Sequence, residues 1–189
     1  MSEYTLTAQP ALGGYQESFE GVALEELTDF TIVSIATPRG GEDPLSQALQ
    51  ESYGATIPKA GKVSRSEDGS MRFLGMSIDQ MFAVFDYSGA DAAEVIAGKL
   101  NDSGYCTLQS DNWVAMRISG AKCREALERI CPIDLASAVF GIGSVARTSM
   151  EHMAVIIYPE DENTFVLITA SSSAASFLHA VETSINNVI

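Results

Sequence analysis

NWVAMRISGAKCREALERI, residues 112–130, changes its periodicity part-way. From Trp113 to Ile118 the residues are mostly apolar and include β-branched types, which predicts a strand. From Cys123 onward, Cys123, Ala126, Leu127 and Ile130 recur at steps of three and four, which predicts a helix with one inward stripe. Ser119 is placed to cap that helix. A strand that turns straight into a helix is the start of an α+β unit.

Working outward, the same order occurs earlier. FTIVSIA (30–36) predicts a strand, PRGGED a turn, and Asp43-Pro44 an N-cap and first helical residue for a helix bearing Leu45, Ala48 and Leu49. MRFLGMSI and QMFAVFDY follow as strands. SGADAAEVIAGKLN is a helix, with Ser88 as its cap and Ala92, Val95, Ile96 and Leu100 inward. YCTLQ is a short strand. Beyond residue 130, HMAVIIYPE and NTFVLITA form a hairpin across EDEN, and SSAASFLHAVETSINNV is a last helix with Phe177, Leu178, Val181 and Ile185 on one face. The fold class is therefore α+β: two ferredoxin-like β-α-β-β-α halves packed together, about 30–110 and 111–189, in one domain. Residues 1–29 are expected to be an extended acidic arm.

Composition narrows the function. The 189 residues carry 25 acidic and 11 basic side chains, a net charge of −14. Nucleic acid and anionic membranes both require a cationic footprint, so neither is an expected partner. Residues 1–38 contain no Lys or Arg, yet Tyr4, Leu6, Leu12, Tyr15, Phe19 and Leu24 recur through the acidic arm. A purely solvating tail rarely has so many large apolar groups. Leu12, Tyr15 and Phe19 are candidate anchors on a partner.

No signal sequence or bilayer-length apolar run is visible, and three cysteines without a C-x-x-C pattern fit a reducing, cytoplasmic setting. His152 and His179 are not at ligand spacing from any Cys or from each other, so no metal site is expected. No G-x-S-x-G motif or other nucleophile signature occurs, and no catalytic residue is assigned. Glu25-Glu26 and Glu160-Asp161-Glu162 fall in the arm and in a turn, where water would solvate them. Trp113 reads as core.

The connector CPIDLASAVFGIGSVARTSM (131–150) contains G-x-G-x-x-A, Gly141 to Ala146. A dinucleotide fingerprint needs a helix after these glycines, its N-terminus facing the pyrophosphate. SVARTSMEH is a poor candidate for that helix, so no cofactor-binding residue is assigned. The segment reads as a connector: Cys131-Pro132 ends a helix, Asp134 caps a short turn, Phe140 plugs the core, and Gly141 and Gly143 reverse the chain. Arg147 then begins a new strand and joins the candidate partner-binding residues.

The stretch from Ser110 to Tyr158 resembles the gamma subunit of heterotetrameric sarcosine oxidase. The matching residues are Ser119-Gly120, Cys131-Pro132-Ile133-Asp134-Leu135, Phe140, Gly143 and Ala146-Arg147-Thr148, with ALGGY and IVSIATPRG as weaker matches near the N-terminus. The chain departs from the family where Ser171-Ser172-Ser173-Ala174 stands in place of an Arg-Ser-Phe-Ala stretch. The resemblance implies a fold similar to the folate-binding region of the glycine-cleavage T-protein. The strand after the connector runs into HMAVIIYPE, without the Gly-Gly and paired Asp of the T-protein relatives. The resemblance also implies an accessory, non-catalytic subunit of a complex that oxidises sarcosine to glycine. Its partners would be alpha, beta and delta subunits, and FAD, FMN, NAD and tetrahydrofolate would be held by those partners. The competing readings are a freestanding folate-dependent aminomethyltransferase-like protein and a small-molecule-sensing α+β module.

Overall fold

The computed structural model describes residues 9–189. Two antiparallel sheets pack face to face, with helices on both outer faces. The five-stranded sheet takes its strands from the first half of the chain: β3 (Phe30–Ala36), β4 (Val63–Arg65), β5 (Met71–Gly75), β6 (Gln80–Asp86) and β7 (Tyr105–Leu108), in the order β4-β5-β6-β3-β7. The six-stranded sheet combines β8 (Trp113–Ser119), β9 (Ala146–Met150), β10 (Met153–Asp161) and β11 (Thr164–Ala170) with two N-terminal strands, β1 (Gln16–Phe19) and β2 (Val22–Glu26). Its order is β1-β2-β8-β11-β10-β9. Helices α1 (Glu42–Tyr53) and α2 (Ala92–Lys99) cover the smaller sheet; α3 (Cys123–Glu128) and α4 (Ala174–Asn186) cover the larger one.

Period-2 patterning explains why both faces of each sheet are apolar. Along β10, Val155 and Ile157 point to the core under α3 and α4, while Ile156 and Tyr158 point to the core between the sheets. In β6, Met81 and Ala83 face the helices; Phe82 and Val84 face the other sheet. The inter-sheet core is built almost wholly from strands: Ile32, Leu74, Phe82, Val84, Ala115, Ile156, Tyr158, Val166 and Ile168 are all buried there. Each buried Val, Leu, Ile or Phe among them contributes about 1.5–3 kcal/mol by leaving water.

The first half is a complete β-α-β-β-α-β unit. β3 lies between β6 and β7, and β5 lies beyond β6, which is the ferredoxin-like order, with β4 added at the edge. The second half has β8, β11 and β10 in the matching places but no strand of its own after α4. β2 fills that place. It pairs antiparallel with β8, in the register Leu24↔Ile118 and Glu26↔Met116, as β7 pairs with β3.

The expected arm is therefore corrected over its described part. Residues 16–26 form a hairpin within the larger sheet, and Val22 and Leu24 are core residues. The reason is alternation in a short strand: in VALEE positions 22, 24 and 26 turn inward, and with Glu at both 25 and 26 the apolar period is too brief to read as a strand. Tyr4 and Leu6 lie outside the described residues. Three caps also differ from expectation: α1 begins at Glu42, after Gly41, rather than being capped by Asp43. α2 begins after Asp91 rather than Ser88, and α3 after Lys122 rather than Ser119.

Gly120 explains the Ser-Gly junction. Its φ is +114°, and a Cβ there would lie 2.4 Å from the Gly21 carbonyl oxygen. Only glycine permits this backbone-on-backbone approach, which seats the β1–β2 turn against the β8–α3 junction. Gly75 is equally constrained: a Cβ would sit 2.1 Å from the Lys59 carbonyl oxygen.

Candidate functional site

The main polar constellation straddles the two sheets. Arg117 on β8 donates from Nε to Glu160 Oε2 at 2.7 Å and from Nη1 to Glu25 Oε1 at 2.7 Å. Arg72 on β5 reaches Glu160 Oε1 at 3.0 Å and stacks near the Tyr158 ring. Glu160 thus holds one arginine from each sheet, with 13% of its side chain exposed. The Glu160 and Glu25 carboxylates favour the charged Arg117 guanidinium and raise its pKa, the bond to Glu160 being the main cause. The Tyr158 phenol is raised by burial.

This corrects the expectation that Glu25 and Glu160 are solvated. β10 carries a bulge between Pro159 and Asp161 and takes in the first two residues of the predicted turn, which puts Glu160 within reach of Arg117 on β8. Glu26 is also not in an arm. It is buried and accepts from the backbone N–H groups of Leu12 (2.9 Å) and Gly14 (2.7 Å). Paired cations near Glu25 and Glu160 were invisible to sequence reasoning because Arg72 and Arg117 come from different strands. The available signal was an arginine inside each of two otherwise apolar strands.

Leu12, Tyr15 and Phe19 are half-buried against the core under α3 and α4, so they pack on the chain itself. The Tyr15 hydroxyl lies 2.6 Å from Glu182 Oε1 on α4 and 2.9 Å from Glu17 Oε2; burial, then these carboxylates, raises its pKa. The chain itself therefore places all three: Phe19 pairs with Val22, the Leu12 N–H donates to Glu26, and the Tyr15 carbonyl accepts from the Glu26 N–H. Arg147 stands apart. It is on β9, exposed, and makes no ion pair among the described residues.

The connector folds as the residues dictate. Asp134 Oδ1 accepts from Ala136 N–H at 2.9 Å, Phe140 N–H closes a turn on the Ala136 carbonyl, and Phe140 is buried. Gly143 takes φ +90°. The chain then enters β9, a strand, so no helix N-terminus follows the glycines and the G-x-G-x-x-A pattern lacks the geometry to cradle a pyrophosphate.

A cleft of about 390 Å³ opens beside Trp113, between Leu27, Phe30, Ser110, Asp111 and Ser171. Trp113 packs edge-on against Phe82 at 6.1 Å between ring centroids, so it belongs to the inter-sheet core. Among the described residues, no group of three or more His, Cys, Asp or Glu side chains converges as metal ligands. His152 and His179 are exposed. The three thiols are unpaired, and burial raises the pKa of each, that of Cys106 to about 11, which leaves none primed as a nucleophile. No helix among the described residues is long and apolar enough to cross a membrane.

These features define an α+β chain of two ferredoxin-like halves, the fold class of the glycine-cleavage T-protein. Aminomethyltransferase T from Bartonella henselae has this fold over 85% of the present chain and 45% of its own, with a TM-score of 0.53 and 11% identity. The heterotetrameric sarcosine oxidase from Corynebacterium sp. U-96 is more similar. A chain of that complex matches over 88% of this chain and 84% of its own length, with a TM-score of 0.76 and 19% identity. In sequence, the chain is 26% identical over 160 residues to the sarcosine oxidase subunit gamma of Corynebacterium sp. (strain P-1), covering 84% of this chain and 77% of that protein. No protein-family model matches. The chain thus resembles the sarcosine oxidase gamma subunit in its sequence, and its fold is one found in that complex.

Proposed function

We propose that this chain is an accessory, non-catalytic gamma subunit of a heterotetrameric sarcosine oxidase, which oxidatively demethylates sarcosine to glycine. The observation that carries the reading is the sequence likeness to a gamma subunit over 84% of the chain. The alpha, beta and delta subunits would be its partners, and FAD, FMN, NAD and tetrahydrofolate would be bound by those partners. The site chemistry agrees with that role. Arg117, Arg72, Glu160 and Glu25 neutralise one another and hold the sheets together, a structural rather than a reactive arrangement of these four groups. The freestanding aminomethyltransferase reading has less support, since the likeness to that enzyme spans 45% of its length.

The test is purification of the tagged chain from its native host under mild conditions. Flavin-bearing subunits should co-elute in fixed proportion and be identified by peptide mass. A chain that elutes alone, or that binds a folate by itself with saturation, would contradict the proposal.

A further inference from the structure

The cations of this acidic chain are unevenly placed. Residues 54–65 and 135–150 contain no Asp or Glu, although the whole chain has 25. The fold brings these two segments together. Lys62 and Ser144 form an isolated β-bridge, Val63 N–H donates to the Gly143 carbonyl at 2.9 Å, and Val145 N–H to the Gly61 carbonyl at 3.1 Å. This joins the β4 edge of one sheet to the β9 side of the other. Lys59, Lys62, Arg65 and Arg147 all lie exposed along the seam. None of them forms an ion pair among the described residues, although Arg65 donates to the Glu160 carbonyl at 3.3 Å.

Apolar side chains sit among these charges. Val139 and Ile142 are 63% and 62% exposed, where the neighbouring Phe140 and Val145 are buried. β9 is an edge strand, and among the described residues the outer side of β4 is met only by the Gly143 carbonyl at Val63. An apolar centre ringed by unpaired charges of one sign is the layout of a protein interface: the centre is desolvated and the rim selects the partner's charge.

We infer that this seam, with Ile142 at its centre and Lys59, Lys62, Arg65 and Arg147 on its rim, docks an acidic protein surface of a large partner subunit. The inference rests on the subunit reading above and adds which face is used. The occupant would present an apolar patch bordered by Asp and Glu. The exposed rim of a chain with net charge −14 is otherwise dominated by carboxylates, so an acidic partner is repelled elsewhere and admitted here.

The experiment compares tagged full-length variants expressed in the native host: wild type, Ile142→Asp, the double variant Lys62→Glu with Arg147→Glu, and Glu20→Lys on the β1–β2 turn as a control. Recovery of the flavin-bearing subunits is quantified, and thermal melting of each purified variant checks its fold. The seam variants should melt like wild type yet lose about tenfold or more of the co-eluting partner, while Glu20→Lys keeps it. Wild-type capture that survives both seam changes would overturn the docking face and leave the subunit reading standing. A wild type that captures no flavoprotein would remove the subunit reading and this inference with it. Capture abolished by nuclease would make the seam a nucleic-acid site and equally overturn the proposal.

Discussion

Arg117 on β8 and Glu160 on β10 meet at 2.7 Å although β11 lies between their strands. Arg72 approaches the same carboxylate from the other sheet. Glu160 is therefore a pin between the sheets, and replacing it strands two arginines. Glu160→Gln should destabilise the chain by about 1–3 kcal/mol, between the exposed and buried limits for ion pairs. A double-mutant cycle with Arg117→Met, read by denaturant unfolding, should show coupling. Strictly additive losses would mean that the pair holds nothing.

Gly120 against Gly21 makes a sharper case. Gly120→Ala adds a Cβ 2.4 Å from a backbone oxygen at a φ of +114°. The backbone strain alone costs about 1–3 kcal/mol. A lowered melting point should appear together with faster amide exchange in β1 and β2. An unchanged melting point would contradict the seating of the hairpin at this junction.

The hairpin belongs to the fold. Deleting residues 2–24 removes β1, most of β2, and the buried Val22 and Leu24, at about 1.5–3 kcal/mol for each side chain, and it exposes the edge of β8. The truncated chain should aggregate or melt far below full length, as read by circular dichroism and size-exclusion chromatography. A truncated chain with native stability would restore the picture of a detachable arm.

Much of this architecture was legible in the sequence. β3, β6, β8, β10 and β11 are rich in apolar and β-branched residues, because both faces of each sheet are covered. Asp134 and Phe140 behave as their neighbours in sequence dictate. The N-terminal hairpin was not legible: Glu17, Glu20, Glu25 and Glu26 crowd its short strands and the turn between them, Glu26 turning inward itself, and composition then reads as solvation. β4 has only three residues. Glu160 looked like part of a turn because the bulge that extends β10 is a tertiary feature. The seam likewise requires knowing that residue 62 bridges residue 144.

One exposed carboxylate gives a pH prediction. Asp68 accepts from Ser66 Oγ at 2.6 Å, Ser70 N–H at 3.0 Å and Ser70 Oγ at 2.8 Å, which lowers its pKa to about 2. A lowered folded-state pKa favours the folded chain above the ordinary carboxylate range. That contribution fades as pH falls through about 4 and is lost near the folded value of about 2. Carboxyl NMR titration should give an Asp68 midpoint near 2, moving upward in Ser66→Ala, whose hydroxyl is the largest cause. A midpoint in the ordinary range for both proteins would contradict the hydrogen bonding of this loop.

The central claim, membership of a sarcosine-oxidising complex, is tested most directly by following activity through size-exclusion chromatography of native-host extract. Sarcosine-dependent oxygen consumption and this chain, detected by antibody, should peak in the same fractions, ahead of the position of the isolated chain. Activity that elutes with none of this chain, or a chain found only at its isolated position, would contradict the account.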